Sequence, residues 1–119
     1  MNRKALVIDD ESVVGTVISR ALEPGYTSDC CLDAASGLDC VSRQSYELIF
    51  LDIKLADRDG LEVFHDIRRV SPSSKVVLIT GYLDLSVHQE VEKLRPDGFL
   101  TKPFHVDDLL HVVERLSLA

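Results

Sequence analysis

The sequence is poor in long apolar runs. The longest, such as Ala5-Leu6-Val7-Ile8, Leu48-Ile49-Phe50-Leu51 and Val76-Val77-Leu78-Ile79, hold four residues each, whereas a membrane-spanning helix needs roughly 18 or more. The same brevity excludes a secretory signal. Met1-Asn2-Arg3-Lys4 is basic, but the apolar stretch behind it stops at Ile8, far short of a signal-peptide core. An excess of positive charge is also missing. Thirteen Lys and Arg stand against 20 Asp and Glu, a formal charge of −7, and direct nucleic-acid binding would need a basic footprint. Cysteines number three, Cys30, Cys31 and Cys40, with no CxxC or Cys/His ligand spacing. They read as reduced thiols of a cytoplasmic protein that pack as small hydrophobes. His65, His88, His105 and His111 show no ligand spacing either, and no linker, repeat or low-complexity segment interrupts the chain.

What remains is the composition of one globular domain: 119 residues, 45% hydrophobic and 28% charged. Short apolar runs alternate with helical stretches. Ala5–Ile8, Leu48–Leu51, Val76–Ile79 and Gly98–Leu100 are apolar on both faces, the pattern of buried parallel strands. Tyr26 to Leu32 is a fifth, mixed strand suited to a place near an edge. Four stripes recur at helical spacing: Val14, Val17, Ile18, Ala21 and Leu22; Leu61, Phe64 and Ile67; Leu83, Val87, Val91 and Leu94; Val106, Leu109, Leu110, Val113 and Leu116. Each is read as core packing, and Ala34 to Ser42 as a weaker helix containing Gly37. Breakers fall between the elements, at Pro24-Gly25, Asp59-Gly60, Ser71-Pro72 and Pro96-Asp97-Gly98. The alternation predicts an α/β fold of (βα)₅ type, a doubly wound parallel sheet with helices on both faces. In such open sheets ligands bind beyond the carboxyl ends of the strands.

The residues that end the apolar runs therefore share one edge. They are Asp9 and Asp10, Asp52, Thr80 and Lys102. Three carboxylates gathered beside a low-dielectric core would raise one another's pKa values. A hard divalent cation relieves that repulsion, and Mg²⁺ prefers a few carboxylates, several waters and often a phosphate. With the ammonium of Lys102 and the hydroxyl of Thr80, the set matches what phosphoryl transfer requires: positioning, and neutralisation of charge on the transferring oxygens. A carboxylate can itself accept the group as an acyl phosphate. Asp9 and Asp10 could also serve as an N-terminal charge pair on a helix, and Asp107 and Asp108 are read only as favourable charges in the first turn of the last helix.

Asp9-Asp10-Glu11, Leu51-Asp52-Ile53-Lys54, Asp59-Gly60, Thr80-Gly81 and Leu100-Thr101-Lys102-Pro103-Phe104 together resemble the signatures of response-regulator receiver domains of two-component signalling. The resemblance covers essentially the whole chain, in order. It implies a flavodoxin-like three-layer sandwich around a five-stranded parallel sheet of order 2-1-3-4-5, with residues 1–119 forming one receiver domain. It implies Asp52 as the phosphorylated residue and Mg²⁺ as cofactor. Asp10 would ligate the metal directly, Asp9 mainly through water, and Asp52 and the backbone carbonyl of Lys54 would complete the protein ligands. Lys102 would pair with Asp52 or its phosphoryl oxygens, and the bond into Pro103 would be cis. Thr80 and Phe99 would be the switch residues. The implied partners are a sensor histidine kinase or phosphotransfer protein and an unidentified output domain or target, with a homodimer as a further possibility. The domain would catalyse only its own phosphorylation and dephosphorylation.

The chain departs from the family pattern in four places. Ala56 stands where proline is usual, leaving that loop freer, and Phe99 stands where tyrosine is common. Tyr82 replaces a small residue and would flank the acyl phosphate with Lys54. Arg95-Pro96 replaces a small pair and is expected to shorten the fourth helix. Tyr82, Leu85, Phe99 and Val112 mark the face of the fourth helix, fifth strand and last helix where a partner is expected. Two other classes fit less well. A haloacid-dehalogenase-type phosphohydrolase needs its nucleophile in a DxD arrangement after the first strand, plus a cap. A flavodoxin-like binder needs a glycine- or Ser/Thr-rich phosphate loop there.

Overall fold

The computed structural model describes residues 3–81 and 85–118. Among these, strands β1 (Arg3–Ile8), β2 (Tyr26–Cys31), β3 (Leu48–Asp52), β4 (Lys75–Gly81) and β5 (Gly98–Lys102) alternate with helices α1 (Ser12–Leu22), α2 (Ala34–Arg43), α3 (Gly60–Val70), α4 (Leu85–Leu94) and α5 (Val106–Leu118). The strands form one sheet in the order β2-β1-β3-β4-β5, and every neighbouring pair is parallel. This is the flavodoxin-like doubly wound fold. No helix among the described residues is long and apolar enough to cross a membrane.

Side chains on a strand alternate between faces, and the core divides accordingly. Leu6, Ile8, Ile49, Leu51, Val76 and Leu78 pack with Ala34 and Val41 of α2, Val63, Phe64 and Ile67 of α3, and Val91 of α4. Ala5, Val7, Leu48, Phe50, Val77 and Ile79 pack with Ile18 and Leu22 of α1 and Leu109 and Val113 of α5. Three helices thus cover one face and two the other. Most of these side chains are fully buried, each worth roughly 1.5–3 kcal/mol of transfer free energy. β2 lies at one edge, as its mixed composition suggested, and its Asp29 accepts a hydrogen bond from the Tyr46 hydroxyl at 2.7 Å.

Several side chains sit differently from the sequence reading. Val17, in the α1 stripe, is 37% exposed, and Val106 and Leu110 of α5 are similarly open. Those stripes are wider than the surface the sheet offers, so only Ile18, Leu22, Leu109 and Val113 reach full burial. Cys30 is exposed rather than packed; it lies on the edge strand, against Ser19 of α1 at 3.4 Å. Cys31 is buried and its Sγ lies 3.5 Å from that of Cys40. Burial, foremost, pushes the Cys31 thiol up to about 12, an inert thiol. Thr80 lies inside β4 rather than after it. α4 ends at Leu94, and Arg95 follows in the left-handed region with φ 53°. Tyr82, Leu83 and the side chain of Leu85 fall outside the described residues.

The loop from β3 to α3 closes tightly. Lys54 and Asp59 form an antiparallel bridge, and the Gly60 N–H donates to the Ile53 carbonyl at 3.0 Å. A Cβ at Gly60 would stand 2.2 Å from Ile53 Cα and 2.7 Å from the Asp52 carbonyl oxygen. Both are backbone atoms and cannot swing aside. Gly60→Ala is therefore expected to lower the urea midpoint by the equivalent of about 1–3 kcal/mol, the usual range for overpacking. An unchanged midpoint would show that this turn is not as tightly closed as described.

Candidate functional site

The parallel register brings the ends of β1, β3 and β5 to one edge. Ile8 pairs with Leu51, Asp52 with Ile79, and Gly81 with Lys102. Chain connections leave β1 and β3 in opposite directions, so the crevice between their ends is the switch point of the fold. Asp9 and Asp52 flank it, and both are buried.

Lys102 reaches across from the far edge. Its Nζ donates to Asp52 Oδ2 at 2.9 Å and to Glu11 Oε1 at 2.8 Å, and lies 3.0 Å from Asp9 Oδ2. The other Asp52 oxygen, Oδ1, accepts the Lys54 N–H at 2.8 Å. Asp9 Oδ1 accepts the Glu11 N–H at 2.8 Å, while Asp9 Oδ2 is buried with no hydrogen bond of good geometry, only the ion pair. Asp10, beside them, is exposed. Asp9, Asp10, Glu11 and Asp52 each present a carboxylate oxygen, and these atoms lie within 4.8 Å of one another. Three of these carboxylates share the one ammonium of Lys102.

Burial and the contacts with Lys102 act against each other in this cluster. Burial pushes the Asp9 carboxyl above its ordinary range, and Asp52 adds to the push, while the Glu11 N–H and Lys102 oppose it. Glu11 is held below its usual range by the hydrogen bond from Lys102. Burial pulls the Lys102 ammonium down, but its bonds to Glu11, Asp52 and Asp9 outweigh that and hold it above the normal lysine range. An oxygen-only donor set with surplus negative charge suits a hard divalent metal ion.

The remaining expected residues lie on β4, on β5 and just after it. Thr80 is fully buried, one residue beyond the β4 partner of Asp52, and its hydroxyl has no hydrogen-bond partner among the described residues. Phe99, on β5, packs against the larger core and meets the His88 ring edge-on, centroids 4.9 Å apart. The Lys102–Pro103 bond is cis, as is Glu23–Pro24. His88 is half-buried, in keeping with an ordinary histidine, and its ring packs on the aromatic of β5. Glu11 was given no role of its own, and the Asp9-Asp10-Glu11 triplet was the only local signal of its bond to Lys102. Asp57 was not singled out at all. Its carboxylate accepts from the Ala34 and Ala35 N–H groups, 23 and 22 residues away in sequence.

This fold carries an acidic cluster and a lysine at its carboxyl edge, and likeness to known proteins identifies its class. The chain belongs to the response regulator receiver domain family, whose model matches residues 5–114; it is the receiver domain of a two-component response regulator. It is similar to sporulation initiation phosphotransferase F of Bacillus subtilis, 26% identical over 97% of this chain and 94% of that protein. It is 33% identical to the nitrogen assimilation regulatory protein NtrX of Azorhizobium caulinodans over 97% of this chain, which spans 26% of that longer protein. Among solved structures, a CheY-like receiver domain protein from Methanospirillum hungatei superposes with a TM-score of 0.88 at 27% identity, covering 99% of this chain and 96% of the other.

Removing the Lys102 charge leaves buried carboxylates unpaired. In metal-free buffer Lys102→Met should cost about 3–5 kcal/mol of folding stability, whereas Glu11→Gln, at the exposed rim, should cost less than about 1 kcal/mol. A lysine whose folded pKa is raised contributes stability that is fully present below the ordinary lysine range and lost as pH rises through the higher folded value. The gap between wild type and Lys102→Met, measured by urea denaturation, should therefore stay level near neutrality and narrow only at strongly alkaline pH. A gap that widens with alkalinity would contradict the arrangement.

Proposed function

We propose that this domain accepts a phosphoryl group onto Asp52 from the phosphohistidine of a sensor histidine kinase or a phosphotransfer protein, in a Mg²⁺-dependent reaction. The observation that carries this reading is the Asp52 carboxylate. It is buried at the end of β3, fixed through both oxygens by Lys102 and the Lys54 N–H, and lies within the carboxylate cluster. Asp9, Asp10, Asp52 and the backbone carbonyl of Lys54 would hold the metal. When bound, Mg²⁺ supplies neutralisation of charge on the transferring oxygens.

The chain's own residues do the rest. An Asp52 oxygen forms the new bond to phosphorus as the donor's N–P bond breaks, and the imidazole leaves. Lys102, already within hydrogen-bond distance of Asp52, follows the charge onto the phosphoryl oxygens. Thr80 brings a buried hydroxyl with no other partner among the described residues, ready to donate to the new acceptor oxygens. Its movement would empty space toward Phe99 and alter the groove of about 620 Å³ beside it, which His88, Phe99, Phe104, His111 and Val112 help to line. A few kcal/mol of differential contact suffices to bias such a switch. Residues 1–119 act as one receiver domain in the cytoplasm. The α4–β5–α5 face controls an output domain, a target protein or a second copy of the chain. The domain turns over no other substrate.

A small phosphodonor such as acetyl phosphate, with Mg²⁺, should add one phosphoryl group to the wild type and none to Asp52→Asn, as read by intact mass. An undiminished adduct on the variant would place the chemistry elsewhere. With a beryllium fluoride mimic of the acyl phosphate, amide exchange should change across residues 80 to 104. Changes limited to the first two helices would mean that the domain signals through another surface.

A further inference from the structure

The β3–α3 loop carries Lys54 and is fastened on both sides. On one side the Asp57 carboxylate accepts from the Ala34 N–H, at 3.0 Å to Oδ1 and 3.1 Å to Oδ2, and from the Ala35 N–H at 3.2 Å. On the other side the Arg58 guanidinium donates to Asp66 of α3 at 2.9 Å and lies 3.7 Å from Glu62. Within the loop, Lys54 bridges to Asp59, and its N–H is committed to Asp52.

Two observations separate the role of Asp57 from that of an ordinary helix cap. α2 already has its own cap, because the Asp33 side chain accepts the Ser36 N–H at 2.7 Å. The loop, by contrast, has Ala56 where a proline would restrict its backbone. The Asp57 carboxylate, at the positive end of α2, supplies a restraint that the local sequence does not. Its pKa is held below the usual carboxylate range by the Ala34 N–H first of all, so the tether stays charged near neutrality.

We infer that Asp57 is a positioning residue that fixes the Lys54 backbone by docking the β3–α3 loop on the N-terminus of α2. The inference rests on the metal-dependent phosphorylation proposed above, since Lys54 is the residue whose carbonyl would face the metal. Contacts that orient metal ligands typically matter by about 10-fold or more in affinity when removed.

The test compares Asp57→Ala, Asp57→Asn and Asp33→Ala with the wild type. It uses calorimetric titration with Mg²⁺ alone and amide exchange in metal-free protein. Asp57→Ala should weaken Mg²⁺ binding about 10-fold and speed exchange of residues 53 to 60. Asp57→Asn, which keeps an acceptor oxygen, should recover part of both. Asp33→Ala removes the other cap of α2 and should leave Mg²⁺ affinity and loop exchange as in the wild type. Equal effects of Asp57→Ala and Asp33→Ala would reduce Asp57 to a helix cap. Unchanged Mg²⁺ affinity in Asp57→Ala, against a wild type that binds, would overturn the positioning role alone. A wild type that does not bind Mg²⁺ would overturn the metal reading, and the positioning role with it.

Discussion

One ammonium group reconciles the charges at the carboxyl edge of this sheet. Lys102 comes from the outermost strand, β5, yet it touches carboxylates that follow β1 and end β3. At an effective dielectric constant of about 20, the contacts with the buried Asp9 and Asp52 are each worth of the order of 5 kcal/mol before desolvation is subtracted, while Glu11 sits at the solvent-screened rim. The carboxylates repel one another, and the cation offsets that repulsion. The order of the sheet, the length of β5 and the turn at Pro103 all serve to deliver Nζ to that point. Anything that alters charge on Asp52 must therefore be felt first at Lys102 and then along β5.

The architecture was legible because buried parallel strands leave an unusually plain trace. Four apolar runs, each ended by a polar residue, announced the strands and the edge at once. The site followed from the same pattern, since Asp9, Asp52 and Lys102 owe their meeting to strand register alone. What escaped was of two kinds. Contacts between a loop and a helix start distant in sequence, such as Asp57 with Ala34, have no local periodicity to betray them. Partial burial was also misjudged: Val17, Val106 and Leu110 satisfy a helical stripe yet lie beyond the reach of the sheet. Periodicity reports which way a residue faces but not how far the opposing surface extends. Cys30 illustrates the same limit on an edge strand.

Thr80 shows where the resting form is uncomfortable. A buried hydroxyl without a partner costs about 1–3 kcal/mol, and Thr80 Oγ1 has none among the described residues. Under the proposed function that cost is recovered when an acceptor appears on Asp52. The recoverable amount is of the size needed to tip a two-state equilibrium. Phe99 and His88 meet edge-on at the neighbouring strand, β5.

The two margins of the sheet have a consequence for the protein in bulk. A strand margin with free backbone groups is a template on which other chains can add and grow into aggregates. At the β5 margin the strand is five residues long, it ends in a charged lysine, and the next residue, Pro103, has no N–H to offer a newcomer. At the β2 margin Asp29 places a carboxylate within the strand, bonded to Tyr46. The shortness of β5 and the missing N–H of Pro103 thus leave few backbone donors at this margin on which another chain could add. Replacing Pro103 would restore a backbone N–H at that corner, so this residue bears on self-association as well as on the turn.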